Sequence, residues 1–125
     1  MKFTYRLATL LCLFSCSAWA HHSQAMYDLT KTVTLVGTVK DFQWTNPHCW
    51  IQLMVTTDGA TAKEWGVEMG NPRQLYRVGW RPATLKTGDK ITLTINPLRD
   101  GALGGQFYSA VGADGNPIGI AEAKP

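Results

Sequence analysis

The amino-acid sequence predicts a small all-β domain with little helix, a five-stranded barrel of the OB type with a short helix between strands 3 and 4. Three observations predict this fold. Five segments alternate apolar and polar residues, a capped helical segment separates the third from the fourth, and the first strand is long and bent. An open antiparallel sandwich is the alternative that this order of elements leaves open.

The first predicted strand covers Thr32 to Trp44. Apolar and polar residues alternate along its first half, but Phe42 is out of step by one position. A β-bulge near Asp41 would explain the shift. The Asn46-Pro47 pair that follows is typical of a turn and predicts the end of the strand.

Two further strands are predicted at Cys49 to Thr57 and Lys63 to Met69. The Asp58-Gly59 pair between them is typical of a hairpin turn. Alternation places one face of each strand inward and the other outward. The inward residues predicted for the second strand are Ile51, Leu53 and Val55.

A short helix and two more strands complete the prediction. Asn71-Pro72 combines a capping side chain with a proline in the first turn, and Gly79 is a typical helix end. A turn at Thr87-Gly88-Asp89 precedes the fourth strand, and the fifth strand covers Gln106 to Val111. The inward residues predicted for the fourth strand are Ile91, Leu93 and Ile95.

The start of the chain has the pattern of a cleaved export signal. Positive residues precede the apolar run Leu7 to Phe14, and small residues precede Ala20, so we expect cleavage after Ala20. The run is too short to span a bilayer, so no transmembrane segment is expected after cleavage. The signal favours the periplasm, and a lipoprotein attached through Cys16 is the alternative. We therefore expect a signal peptide over 1–20, a polar leader over 21–31 and a single barrel domain over 32–125.

Composition and charge restrict the function. The chain has 125 residues, is 45% hydrophobic and carries a formal net charge of +3. Two of the positive charges, Lys2 and Arg6, lie in the predicted signal, so the mature balance is 3 − 2 = +1 and no nucleic-acid partner is expected. The sequence has no phosphate loop, serine nucleophile elbow or CxxC pair. These features favour binding over catalysis.

Cleavage would also decide the state of the cysteines. Cys12 and Cys16 lie within the signal, which leaves Cys49 without an internal disulfide partner. In an oxidising compartment a single thiol is buried, metal-bound or paired with another molecule. The fold is therefore expected to depend on its apolar core.

Cleavage after Ala20 would create a candidate copper site. His21 would then present an α-amino group beside its own imidazole, and His48 or His22 could supply a further nitrogen. Nitrogen donors suit Cu(II), which has the highest affinity of the first-row divalent ions. The stretch from His21 to Thr32 can span up to roughly 36 Å, enough to return beside the first strand. The alternative is that the terminal histidines bind nothing specific.

Two other sets of residues suggest binding. His48 and Cys49 could form a soft Cu(I) site with methionines, although isolated methionines also fill gaps in cores. The methionines concerned are Met26, Met54 and Met69. Alternatively, a barrel face could bind a non-metal ligand or an envelope protein. The contact residues expected on that face are Trp50, Glu64, Glu68 and Arg77. Arg73, Arg77 and Arg81 recur at helical spacing and are expected to be solvated or to pair with these glutamates.

Several short motifs lie along the mature chain. They are His21-His22-Ser23, Tyr27-Asp28, Gly37-Thr38-Val39, Trp44-Thr45-Asn46-Pro47-His48, Trp65-Gly66-Val67-Glu68, Gly79-Trp80, Gly88-Asp89 and Arg99-Asp100-Gly101. In combination they resemble a family of small exported bacterial proteins catalogued as a domain of unknown function. The resemblance implies an exported single domain and brings no reaction with it.

Overall fold

The computed structural model describes residues 24–119, and five strands form a closed barrel. In chain order the elements are a 3-10 turn (Gln24–Met26), β1 (Val33–Gln43), β2 (Trp50–Val55), β3 (Lys63–Glu68), α1 (Pro72–Arg77), β4 (Lys90–Pro97) and β5 (Gly104–Gly112). The strand order around the barrel is β1-β2-β3-β5-β4, with β3 and β5 parallel and the other pairs antiparallel. This confirms the predicted five-stranded barrel with a helix between strands 3 and 4, and the sandwich alternative is wrong.

The length of β1 allows it to close the barrel. It pairs with β4 along its first half and with β2 along its second half. The register with β2 shifts between Val39 and Asp41, which confirms the bulge expected near Asp41. The predicted turn at Asn46-Pro47 follows the strand, and the peptide bond joining these residues is cis.

Alternating residues of the strands fill the barrel. The inward faces predicted for β2 and β4 are buried, as is Val67 of β3. At one end Trp80 is fully buried, with the rings of Phe42 and Phe107 centred 5.9 and 5.5 Å from its own. Burying apolar surface is the main force that stabilises such a core. Gly119 also lies against the Trp80 indole, where a Cβ atom would overlap it.

Helix α1 begins and ends where its sequence predicts. The Asn71 side chain accepts a hydrogen bond from the Gln74 backbone, and the Gln74 side chain accepts one from the Asn71 backbone, which forms a capping box. Leu75 is buried against the barrel. Val78 caps the C-terminus, and Gly79 follows with a φ of +93°. Among residues 24–119, no helix has both the length and the apolar composition needed to cross a membrane.

At two places a strand end differs from prediction by two residues. Thr57 lies beyond the end of β2 in a longer connection to β3, and Asp58 and Gly59 form its tight turn with positive φ values. Strand β5 begins at Gly104, two residues before the predicted start at Gln106. Gly104 pairs with Gly66 of β3, and a Cβ atom there would lie 2.7 Å from the Gly66 carbonyl oxygen. Since glycines carry no apolar pattern, the alternation could not reveal this start.

The end of the predicted polar leader packs onto the barrel. Tyr27 is only 5% exposed and forms an isolated β-bridge with Leu98. The Asp28 backbone N–H donates to the Pro97 carbonyl at 2.8 Å, and the Arg99 N–H donates to the Met26 carbonyl at 2.9 Å. These contacts hold the segment 24–31, which we call the docked leader, beside the end of β4.

Candidate functional site

Three separate segments meet at one carboxylate on the outside of the barrel. The Tyr27 hydroxyl donates a hydrogen bond to Glu68 Oε2, and the other oxygen, Oε1, contacts His48 Nδ1. The three residues come from the docked leader, the loop before β2 and the end of β3. A chain separation of 41 residues between Tyr27 and Glu68 makes this a tertiary contact.

A shallow pocket surrounds this carboxylate, and we call it the His48 pocket. Its volume is about 210 Å³. Its lining residues are Gln24, Met26, Tyr27, His48, Glu68, Met69 and Gln106. An adjoining depression of about 250 Å³ shares five of these residues and extends to Gln74, Leu75 and Phe107. The pocket therefore joins the docked leader to the barrel wall.

The strands and loops fix where Glu68 and His48 lie. Glu68 ends β3, where alternation turns it outward while its neighbour Val67 is buried. His48 is held by the bonds around it. Its carbonyl accepts from the Thr45 hydroxyl at 3.0 Å, and the Cys49 N–H donates to the Gly70 carbonyl at 3.0 Å. The first bond closes the loop before β2, and the second attaches that loop to the residues after β3.

The hydrogen bonds at Glu68 orient the imidazole. The Glu68 side chain is 13% exposed, and each of its carboxylate oxygens has a polar partner. Burial, followed by the hydrogen bond and the charge of Glu68, raises the pKa of Tyr27, so the phenol stays a proton donor. With Nδ1 directed at the carboxylate, Nε2 is the ring nitrogen that remains for a ligand. A carboxylate on the second nitrogen is typical of histidines that bind metals.

The predicted metal ligands are divided between described and undescribed parts of the chain. His48 lines the pocket, whereas His21 and His22 lie outside the described residues. Within residues 24–119, no three His, Cys, Asp or Glu side chains come together where they could hold a metal ion. Within that range, the described His, Cys, Asp and Glu side chains alone do not complete a metal site at His48.

The structure separates the expected soft ligands. Met26 and Met69 line the His48 pocket, but Met54 lies on β2 away from it. Cys49 is fully buried with its thiol 3.8 Å from the Thr45 carbonyl oxygen, and burial raises the pKa of this thiol. The expectation that Cys49 joins His48 in a soft site is therefore wrong. The cysteine is a core residue, as one of the alternatives predicted.

The residues expected on a ligand-binding face are spread over the surface. Trp50 is half-buried and lies opposite Glu68 across the β2–β3 pair. Glu64 is four residues along the strand, about 13 Å from Glu68, and forms an ion pair with Lys40. Arg77 is exposed at the end of α1. Of the four, Glu68 lines the His48 pocket.

Of the two alternatives for the helical arginines, the solvated one is confirmed, since Arg73, Arg77 and Arg81 are all exposed. Pairing with these glutamates is wrong, because both glutamates have other partners. Glu64 pairs with Lys40 and Glu68 with His48. Arg81 instead lies over the Tyr76 ring, 3.6 Å from its centroid, and donates to the Tyr76 and Trp80 carbonyls. Such a cation–π contact fixes the arginine on its own segment.

Tyr27 and Gln106 are site residues that the sequence alone did not reveal. Tyr27 lies in a segment without periodicity, so its burial had no local signal, and the Tyr27-Asp28 motif was the sole indication. Gln106 lies directly beside Glu68 in the parallel β3–β5 pair. A parallel pairing between distant segments is set by the whole barrel. The sequence around Glu68 or around Gln106 therefore does not predict that the two residues are neighbours.

The comparisons with known proteins place the chain in a family. Residues 9–107 match the sequence model of DUF6152, a family of unknown function. The chain belongs to this family. The matched range contains Tyr27, His48 and Glu68, and it confirms the resemblance to a family without an assigned function. No curated protein matches the chain.

A solved structure supports the fold assignment. The chain is similar to the mitochondrial single-stranded DNA binding protein Rim1 of S. cerevisiae, with a TM-score of 0.51 and 9% sequence identity. The similarity covers 69% of this chain and 95% of that chain. At this identity the likeness concerns the OB-type fold alone and carries no ligand with it.

Proposed function

We propose that this protein binds copper at the His48 pocket, in the periplasm, after removal of residues 1–20. In this proposal Cu(II) is held by His48 and by the α-amino group and imidazole of His21. The observation that carries it is the docking of the leader. Tyr27 bonds to the carboxylate that orients His48, and Gln24 lines the same pocket.

The docked leader brings the terminal donors within reach. His21 precedes Gln24 by three residues, a stretch that spans at most roughly 11 Å. Without docking, the amine and imidazole of His21 would be tethered by the whole leader and would sample a much larger volume around the pocket. Holding a ligand group close to its site reduces the entropy lost on binding. The Tyr27 contacts therefore support one site that combines the donors of His21 with His48.

The donor set matches Cu(II) chemistry. The amine and imidazole of His21 form one chelate, and His48 Nε2 supplies a third nitrogen. His22 is the competing donor from the leader. Glu68 acts behind His48, where it orients the ring so that Nε2 faces the ligand. Tyr27 in turn holds the second oxygen of Glu68.

Calorimetric titration of Cu(II) into the chain beginning at His21 tests the proposal. We expect His21→Ala to weaken Cu(II) binding by about tenfold or more, because it removes one donor of the chelate. An extra glycine ahead of His21 keeps the imidazole but moves the amine, so it should weaken binding as well. Arg73→Ala, on the exposed surface of α1, is the control and should not change the affinity. Unchanged affinity in both N-terminal variants would overturn the proposed site.

A second candidate function is binding of a non-metal ligand or an envelope protein on the same outer face. The depression beside the His48 pocket favours it, since amide side chains of Gln24, Gln74 and Gln106 line its wall together with Phe107. Amides with an aromatic ring can orient an uncharged polar ligand. In this case Gln106→Ala, which removes one of these amides, should weaken capture of the ligand from periplasmic extract, whereas His21→Ala should not.

A further inference from the structure

Two methionines line the His48 pocket, and the Cu(II) chelate uses neither of their thioethers. Met26 belongs to the 3-10 turn of the docked leader, and Met69 directly follows β3. Both methionines line the pocket together with His48, although they are 43 positions apart in the chain (69 − 26). The same docking that brings Gln24 to the pocket therefore brings a thioether to the imidazole.

The exposure of Met26 is not explained by packing. Its side chain is 48% exposed, whereas methionines that fill gaps in a core are buried. Met69 is buried and contributes to both the core and the pocket wall. The pair thus combines one exposed and one buried methionine beside His48.

Thioether sulfur is a soft donor and selects Cu(I), while imidazole binds copper in either oxidation state. Two other potential ligands nearby, a carboxylate and a thiol, are not available to a metal ion. Glu68 accepts hydrogen bonds from Tyr27 and His48, and the Cys49 thiol is enclosed in the core. Besides the harder amide oxygens of Gln24 and Gln106, the donors left at the pocket are one ring nitrogen and two thioethers.

We infer that the His48 pocket also binds Cu(I), through His48 Nε2 and the thioethers of Met26 and Met69. The inference extends the proposed function at the same pocket and shares His48 with it. It does not require the α-amino group of His21, because all three ligands lie within the described residues. The two sites can therefore be tested separately.

Methyl NMR with Ag(I), a redox-inert substitute for Cu(I), tests the inference. The chain from His21 to Pro125 contains three methionines, Met26, Met54 and Met69. With ¹³C-labelled methionine methyl groups, Ag(I) should shift the signals of Met26 and Met69. The signal of Met54, which pairs across the sheet with Thr38 and Glu64, should stay in place and is the internal control. An unshifted Met26 signal would overturn the inference.

Affinity measurements provide the second test. With a competing chelator under anaerobic reducing conditions, Met26→Leu should weaken Cu(I) binding by about tenfold. Met54→Leu is the matched control and should leave Cu(I) binding unchanged. Since Met26 is exposed, its replacement leaves the fold intact, so equal Cu(I) affinities in the two variants would also overturn the inference.

The outcomes separate the inference from the proposed function. If His21→Ala weakens Cu(II) binding while Met26→Leu leaves Cu(I) binding unchanged, the Cu(I) site is wrong and the Cu(II) chelate stands. If the methyl signals shift on Ag(I) while His21→Ala and the variant with an extra glycine both leave Cu(II) binding unchanged, the chelate is wrong and the Cu(I) site stands.

Discussion

Asp28 shows how one side chain fixes the end of the leader. Its carboxylate accepts hydrogen bonds from the Thr30 hydroxyl at 2.6 Å and the Thr30 N–H at 3.2 Å, and Lys31 lies 3.1 Å away. Arg99, which follows β4, lies 3.9 Å from the same carboxylate. The hydrogen bonds from Thr30 and Lys31 lower the pKa of Asp28 to about 2. The charged form is therefore favoured in the folded protein.

This shift predicts a pH dependence of stability. A carboxylate whose pKa is lowered by folding stabilises the protein fully above its unfolded pKa of about 4. That contribution is lost as the pH falls through the folded pKa of about 2. Asp28→Asn should therefore be less stable than the wild type at pH 7, and the difference should shrink below about pH 4.

Urea unfolding of the wild type and Asp28→Asn at several pH values measures this difference. Asp114, whose pKa is also lowered by bonds from Asn116, is present in both proteins, so its contribution cancels. A difference in the free energy of unfolding that stays constant down to pH 2 would contradict the role given to Asp28.

At the scale of an element, the docked leader is the feature on which the site depends. Its contacts with the barrel include the buried Tyr27 ring and the backbone bonds of Asp28 with Pro97 and of Arg99 with Met26. Since Gln24 and Met26 line the His48 pocket, losing these contacts would take one wall of the pocket away.

Tyr27→Ala should release this element while the barrel stays folded. Hydrogen exchange should accelerate at the Asp28 and Arg99 amides, because their acceptors lie across the docking contact. Amides of the β4–β5 ladder should keep their protection. Tyr76→Ala, on the exposed side of α1, is the control and should leave the Asp28 amide protected. Unchanged exchange at Asp28 in Tyr27→Ala would show that the ring does not hold the leader.

Local patterns predict most individual elements of this fold. Alternation identifies the buried face of β4, the break in phase at Phe42 locates the bulge, and Asn71 marks the helix start because each depends on residues close in the chain. The start of β5 was missed because Gly104 carries no pattern. Local patterns do not predict how these elements lie relative to one another, because that arrangement is set by the closed barrel.

At the scale of the whole molecule, the candidate site depends on contacts between distant segments. His48 was predicted from its chemistry, whereas its partner Glu68 was placed on a different ligand face and Tyr27 was missed. The contact between Tyr27 and Glu68 exists because the leader docks where β3 ends. No period or spacing within one segment contains that information. The barrel therefore assembles a site whose components the sequence shows only separately.

In the proposed copper site, the docked leader and the loop before β2 supply nitrogen ligands to one copper ion. Pulsed EPR of the Cu(II)-loaded chain beginning at His21 tests it most directly, because it detects the remote nitrogen of each coordinated imidazole. The variant to compare is His48→Gln, whose amide can still donate to Glu68. We predict modulation from two imidazoles in the wild type and from one in His48→Gln. Identical spectra for the two proteins would contradict the claim.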